Sequence, residues 1–188
     1  MLTVTQRQTY LKALKLYSGS IDGLEGAKTR SAYKALQEQY FTRESDIDGK
    51  YGISTERLLV SAYACRNSTY FRLDEFKCKC GGKYCTGYPV VLDERLVSGL
   101  NNMRKQLGVL TITSGMRCEK WNSIQGGASG SRHKLGKAAD IKGTSTDTAS
   151  KRKTVKALWM KQNGARYTYC NEDTKKYNMG SSVHVDVK

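Results

Sequence analysis

The stretch SRHKLGKAADI, residues 131–141, decides how the second half of this chain folds. It contains His133, one of only two histidines in the sequence, and Asp140. The glycine- and serine-rich stretch SGSRHKLG (129–136) predicts a loop that carries His133, and the apolar residues around Asp140 predict a short strand. An imidazole on a loop is thus followed closely by a carboxylate on a strand.

The second histidine lies in the terminal stretch SSVHVDVK, residues 181–188. Three valines alternate there with His184 and Asp186, which is the pattern of a strand with one apolar face. We expect the valines to face the core, so that His184 and Asp186 point together to the opposite face.

Two imidazoles and one carboxylate form a ligand set that catalytic zinc takes, with a fourth position left for water. We therefore interpret His133, Asp140 and His184 as candidate ligands of one zinc ion. The residue types also fit ordinary polar side chains, and the spacing of His133 and Asp140 alone is a weak signal.

The pattern S-x-H-x-x-G-x-A-x-D at 131–140 resembles the signature of the zinc D-Ala-D-Ala carboxypeptidase and endopeptidase family, which is related in fold to the hedgehog signalling domain. Further segments resemble that family in the right order over residues 71–188: FRLDEFKCKCGG (71–82), ITSGMRCEKWN (112–122), GGASGSRH (126–133) and VHVDV (183–187). The resemblance implies that His133, Asp140 and His184 bind zinc. It also implies that Arg117 steadies the oxyanion that develops on the scissile carbonyl; a purely structural arginine is the alternative.

The sequence departs from better-known members of that family at the catalytic base. Those members carry Asp or Glu three residues before the last histidine ligand, where this chain has Ser181. Asp186 is our first candidate for the base because it shares a face with His184, although it also fits a carboxylate that only supports the site. Glu172 and Asp173 are reserve candidates.

The first 60 or so residues contain a repeat, IDGLEG (21–26) and IDGKYG (47–52). Each copy predicts an Asp-Gly turn followed by a helix, with Thr29 or Thr55 as a possible cap. The segment IDGLEGAKTRSAYKALQEQY (21–40) resembles the peptidoglycan-binding domain of bacterial and phage wall hydrolases. That resemblance implies wall binding, whereas the spacing alone shows only a helical domain.

The remaining patterns complete an α+β prediction. Helices are expected over 92–108 and 148–164, and a buried strand over 109–115. We predict a small N-terminal three-helix bundle (1–66), a linker near 65–70, and a hedgehog/DD-peptidase-like domain (70–188) with an antiparallel sheet and flanking helices.

The net charge of +15 points to an anionic partner. We expect bacterial peptidoglycan; nucleic acid is a remote alternative because aromatic and basic residues do not interleave. The chain has no apolar run long enough to span a membrane, and its first residues do not resemble a signal peptide. We expect a monomer that is made in the cytoplasm and reaches the wall after release, as a phage endolysin does.

The six cysteines leave several alternatives open. Cys78, Cys80 and Cys85 cluster in CKCGGKYC, and Cys118 follows Arg117. The spacing C-x-C-x4-C is not a standard zinc knuckle, so plain thiols or one disulfide are favoured over a four-cysteine zinc site.

Taken together, the sequence predicts a zinc-dependent, endolysin-type peptidase that cuts an amide bond in the stem peptide or cross-link of peptidoglycan. Which bond is cut stays open. The alternative is a non-catalytic wall-binding protein, because the usual carboxylate is missing at Ser181.

Overall fold

A computed structural model describes residues 1–174 and 177–188 of the chain. Its first part is helical: α1 (Val4–Ala13), α2 (Ala27–Tyr40) and α3 (Ile53–Cys65) pack against one another. The predicted order of helix, Asp-Gly turn, helix, Asp-Gly turn, helix is therefore present. The proposed threonine caps are wrong, because Gly26 and Gly52 occupy the N-cap positions and each threonine lies inside the first turn.

The two threonines instead belong to a buried hydrogen-bond network that occurs twice. In the first copy, Gln8 Nε2 donates to Asp22 Oδ1 (2.7 Å) and to Thr29 Oγ1 (3.3 Å), and its Oε1 accepts from Gly23 N (3.0 Å). Gln8 is fully buried, so these bonds satisfy an amide that would otherwise be costly to bury.

The second copy repeats these three hydrogen bonds. Gln37 Nε2 donates to Asp48 Oδ1 (3.1 Å) and Thr55 Oγ1 (2.9 Å), and its Oε1 accepts from Gly49 N (2.7 Å). The I-D-G-x-x-G repeat thus corresponds to a duplicated turn, and a glutamine from the preceding helix holds each copy in place.

The second part combines three helices with a four-stranded antiparallel sheet. The helices are α4 (Glu94–Leu107), α5 (Glu119–Ile124) and α6 (Ala149–Trp159). The strands are β1 (Leu110–Ser114), β2 (Ala138–Gly143), β3 (Ala165–Cys170) and β4 (Val183–Val187), in the spatial order β1-β2-β4-β3. The α+β class and the antiparallel sheet are confirmed.

One face of the sheet packs on α4 and α6, with the valines of β4 in the core as the alternation predicts. Trp159 of α6 is fully buried and donates from Nε1 to the backbone oxygen of Asp186 (3.1 Å). Neither β3 nor α5 is among the predicted elements, and the helix predicted over 148–164 ends at Trp159, because residues 160–164 form the turn into β3.

The helical part and the sheet share one continuous hydrophobic core. Tyr88 lies between the two parts, with its ring centroid 5.8 Å from that of Tyr40, and Leu92 N donates to Ser61 Oγ of α3 (2.9 Å). The segment expected as a linker is also held, since Asn101 Oδ1 accepts from the backbone N–H groups of residues 69 and 70. The proposed boundaries, 1–66 and 70–188, stay a prediction.

Within the described ranges, no helix has the length and apolar character of a membrane span.

Candidate metal centre

The candidate site is built on one row of residues that crosses all four strands. Ser114 of β1 pairs with Asp140 of β2, Asp140 pairs with His184 of β4, and His184 pairs with Tyr169 of β3. The row lies on the sheet face away from α4 and α6. Strand register, which spacing along the chain does not reveal, therefore places a carboxylate directly beside an imidazole.

His133 reaches this row from a short 3-10 turn, Arg132–Leu135. Its Nδ1 lies 2.7 Å from the carbonyl oxygen of Gly115, and since a carbonyl only accepts, Nδ1 carries the hydrogen and Nε2 offers its lone pair. The turn ends at Gly136, which has φ +68°, and a Cβ there would overlap the carbonyl oxygen of Val91. The glycine three residues after His133 is thus required by the backbone.

Three donor atoms converge on one point. His133 Nε2 lies 3.2 Å from His184 Nδ1 and 3.3 Å from Asp140 Oδ1, and His184 Nδ1 lies 2.9 Å from Asp140 Oδ1. Bond lengths of about 2.0–2.1 Å in a tetrahedral zinc site place neighbouring ligand atoms about 3.3 Å apart. The three atoms therefore fit one face of a zinc tetrahedron.

The surroundings of the three side chains set their protonation. Burial lowers the pKa of His133 below its usual value, which favours the neutral imidazole. Burial alone would raise the pKa of Asp140, but its contacts with His133 and His184 outweigh burial and hold that pKa well below its usual range. Burial alone would lower the pKa of His184, but hydrogen bonds to Asp140 and Asp186 outweigh it and raise that pKa.

Asp186 lies behind His184, on the far side of the ring from Asp140. Its Oδ2 is 3.5 Å from His184 Nε2, whereas Nδ1 is the nitrogen that faces the other two donors. Its Oδ1 is 3.3 Å from Arg166 Nε, and the side chain is 2% exposed. These contacts are those of a carboxylate that orients a histidine ligand. They do not place it over the open side of the donor triangle.

Arg117 holds the other oxygen of Asp140. Its Nη2 donates to Asp140 Oδ2 (2.8 Å), its Nε donates to Ser114 Oγ (2.9 Å), and its backbone N–H donates to the carbonyl oxygen of His133 (3.0 Å). The guanidinium also lines the cleft above the site. Arg117 therefore holds Asp140 and borders the cleft at the same time.

The reserve candidates for the base lie elsewhere. Glu172 forms an ion pair with Arg152 of α6, and Asp173 with Lys156 of the same helix. Ser181 is partly exposed just before β4, and its neighbour Ser182 lines the cleft, where its Oγ lies 3.4 Å from Thr113 Oγ1. In the described part of the chain, Asp140 and Asp186 are the only carboxylates that line the cleft.

A cleft of about 690 Å³ opens over the donor atoms. Two tyrosines of β3 that line this cleft were not among the predicted site residues, because β3 was not predicted. Tyr169 stacks on His184 with ring centroids 4.4 Å apart, and Tyr167 pairs with Asp186 across β3 and β4. The alternation in ARYTYC (165–170) was the available signal for a strand that places both tyrosines on one face.

The sequence profile of the Peptidase M15 family matches residues 69–186. Comparison with curated proteins found no match. The profile spans β1–β3, all of β4 but Val187, and every residue of the donor triangle, and it leaves α1–α3 outside. With well over half of its length matched, and with a site arranged as described, the chain belongs to the peptidase M15 family.

Proposed function

We propose that the chain is a zinc-dependent peptidase that cleaves an amide bond in the stem peptide or cross-link of bacterial peptidoglycan. The observation that carries this proposal is the donor triangle of His133, Asp140 and His184 at the floor of an open cleft, in a chain of a peptidase family. The N-terminal repeat and the net charge of +15 support a wall substrate.

Zinc is favoured over the other metal that this donor set can hold. Two histidines and one carboxylate also bind iron in non-haem oxygenases, so the residue types alone do not distinguish zinc from iron. Peptidases of the M15 family use zinc, and the spacing of the three donor atoms fits tetrahedral zinc. When bound, zinc lowers the pKa of a coordinated water to about 7 and polarises a carbonyl group.

The protein groups prepare the site for that chemistry. Gly115 fixes the tautomer of His133, which leaves the lone pair on its Nε2, and Asp186 holds Nε2 of His184. Loss of the Nδ1 proton of His184 would direct the lone pairs of both imidazoles to the same point. Arg117 keeps Asp140 in place and offers fixed positive charge to the oxygen of the scissile amide. We therefore propose that Asp186 positions His184. This role replaces that of the catalytic base, for which Asp186 was the first candidate from the sequence.

The walls of the cleft suit an anionic peptide. They include basic and aromatic side chains: Lys79, Arg117, Arg132, Arg166, Trp121, Tyr167, Tyr169 and Tyr177. Stem peptides carry free carboxylates, which guanidinium groups bind in a fork geometry. We further propose that α1–α3 bind the wall and that the enzyme meets it after release from the cytoplasm, as an endolysin does.

Purified cell walls provide the test. The proposed enzyme releases new amine termini from walls, stops when a chelator removes the metal, and recovers when zinc is added back. Mass spectrometry of the soluble fragments then identifies the bond that is cut. If the zinc-loaded protein binds walls but releases no amines, the peptidase proposal fails. The non-catalytic wall-binding alternative, which the absence of a carboxylate at Ser181 supports, would then hold.

A further inference from the structure

Four cysteines from two distant segments of the chain meet beside the peptidase site. Cys78, Cys80 and Cys85 come from residues 77–93, a stretch without helix or strand, and Cys118 precedes α5. Their sulfur atoms all lie within 4.8 Å of one another, and Cys80 Sγ is 3.5 Å from Cys85 Sγ. All four are free thiols, in a small cluster separate from the main hydrophobic core.

The mutual spacing fits a tetrahedral metal site better than a pair of disulfides. Zinc–sulfur bonds of about 2.3 Å place neighbouring sulfurs of a four-cysteine site about 3.8 Å apart. Two disulfides need two close pairs at about 2.0 Å and do not require that all four sulfurs gather round one point. The observed cluster brings every sulfur near every other, which is what a single central ion demands.

The backbone supports negative charge on the sulfurs. Cys118 N donates to Cys78 Sγ (3.4 Å) and Gly87 N donates to Cys85 Sγ (3.3 Å). The second bond depends on Gly87, whose φ of +99° turns the chain back so that its oxygen also accepts from Cys78 N (2.8 Å). Hydrogen bonds of this kind orient ligands and stabilise thiolates around a metal.

The charge and burial of the neighbourhood are also suitable. Four thiolates around a divalent cation carry excess negative charge, and basic residues flank them in sequence: Lys77, Lys79, Lys83, Arg117 and Lys120. Three of the four cysteines are buried and Cys85 is half-buried, so the cluster has little access to solvent. A site with four protein ligands and no open position is structural rather than catalytic.

We propose that Cys78, Cys80, Cys85 and Cys118 hold a second, structural zinc ion that ties the irregular segment 77–93 to the start of α5. Cys118 directly follows Arg117, and Lys79 of the tied segment lines the cleft. The ion would therefore fix the turn that aims Arg117 at Asp140. The sequence offered these four cysteines as one alternative but favoured plain thiols or one disulfide, because C-x-C-x4-C is not a standard spacing. The convergence of all four sulfurs is seen only in the fold.

The test uses a chain in which the first site is disabled. The double variant His133→Ala/His184→Ala is purified under reducing conditions, and its zinc content is measured by elemental mass spectrometry. We expect one zinc per chain, and X-ray absorption that shows four sulfur ligands at about 2.3 Å. Replacement by cobalt should give intense thiolate-to-metal charge-transfer bands.

Two cysteines outside the cluster supply a matched control. In the same background, Cys80→Ser/Cys85→Ser should lose the remaining zinc, whereas Cys65→Ser/Cys170→Ser should keep it. A reduced chain with an intact cluster and no zinc would overturn the proposal, as would a shell of nitrogen and oxygen atoms, or four cluster cysteines paired as disulfides in the freshly isolated protein. The zinc content of the double histidine variant decides the question even if the serine variant fails to fold. Failure of the structural-zinc proposal would leave the peptidase proposal untouched, because wall cleavage tests the latter.

Discussion

At the scale of single residues, two of the candidate ligands each use one polar atom for the donor triangle and the other polar atom for a supporting contact. Asp140 gives Oδ1 to the donor triangle and Oδ2 to Arg117, and His184 gives Nδ1 to the triangle and Nε2 to Asp186. Each of these two candidate ligands is thus held at its second atom, which fixes the direction of the first. The position of Asp186 leads to a prediction that separates orientation from proton transfer.

Asp186→Asn should weaken zinc binding by about 10–100-fold, because loss of a supporting carboxylate typically costs that much metal affinity. With zinc saturating, the turnover rate should stay within a few-fold of the unaltered chain. Competition titration with a chromophoric chelator measures the affinity, and amine release from walls measures the rate. Asp147→Asn, an exposed carboxylate on the loop before α6, should change neither. Unchanged affinity with a turnover rate more than about 100-fold lower would instead make Asp186 the base.

These same residues show which features of the site the sequence predicts and which features depend on the fold. The alternation around His184 predicted which face that histidine takes, because local pattern determines the face of a strand residue. The spacing of His133 and Asp140 was a weak signal, and the resemblance to a zinc peptidase family implied the shared site. The register that sets Asp140 beside His184 depends on pairing between strands far apart in the chain, which no local pattern contains. The place of Asp186 behind a ring nitrogen depends on a side-chain orientation, and so it could not be read from the shared face.

At the scale of elements, buried polar contacts hold turns and helices in place. The duplicated turns are the clearest case: the sequence showed Asp-Gly and a threonine, but it gave the threonine a capping role. Gln8 and Gln37, which complete the network, lie 14 and 11 residues before the aspartates that they contact. A helix that presents its glutamine to the next turn is a tertiary feature, and the motif alone does not include it.

Gln37→Ala should lower the free energy of unfolding by about 1–3 kcal/mol, because it leaves Gly49 N and other buried groups of the turn without a partner. Denaturant unfolding followed by circular dichroism measures the loss. Gln106→Ala is the matched control, since Gln106 is an exposed glutamine of α4. Equal stabilities of the two variants would show that the network does not hold the turn.

The ion pair between α6 and the segment after β3 gives a pH-dependent prediction. Hydrogen bonds from Arg152 lower the pKa of Glu172 to about 2. A carboxyl group whose pKa is lower in the folded state than its unfolded value of about 4.3 stabilises the fold above that value. The contribution disappears as the pH falls from about 4.3 towards about 2. It is small, because the Glu172 side chain is 41% exposed and solvent screens the pair.

Glu172→Gln should therefore reduce stability near neutral pH, and the difference from the unaltered chain should shrink as the pH approaches 2–3. Urea unfolding at a series of pH values measures it. Glu38→Gln, at an exposed residue 3.9 Å from Lys34, should show no such trend. A difference for Glu172→Gln that stays constant down to the lowest pH would rule out the ion pair as its cause.

At the scale of the whole molecule, the two parts that the sequence predicts as separate domains pack through a common core. Residues of α2 and α3 meet Tyr88 and Leu92 in the segment that leads to α4. Composition suggested a linker near 65–70 because that stretch is polar and aperiodic, yet Asn101 binds its backbone. Whether a polar stretch is free or held depends on a partner about 30 residues away in the chain.

This shared core predicts a single cooperative unfolding transition. Both tryptophans, Trp121 and Trp159, lie in the sheet-containing part, whereas circular dichroism also reports α1–α3. We therefore expect fluorescence and circular dichroism to give the same denaturation midpoint. Two separate midpoints would show that the helical part unfolds independently of the sheet.

The central claim is that His133, Asp140 and His184 hold the metal with which the chain cuts peptidoglycan. The most direct measurement follows zinc content and amine release from purified walls in His133→Ala, beside Lys142→Ala, an exposed residue of β2. We predict that His133→Ala loses the zinc of this site and all cleavage, while Lys142→Ala retains both. Full cleavage by His133→Ala would contradict the account.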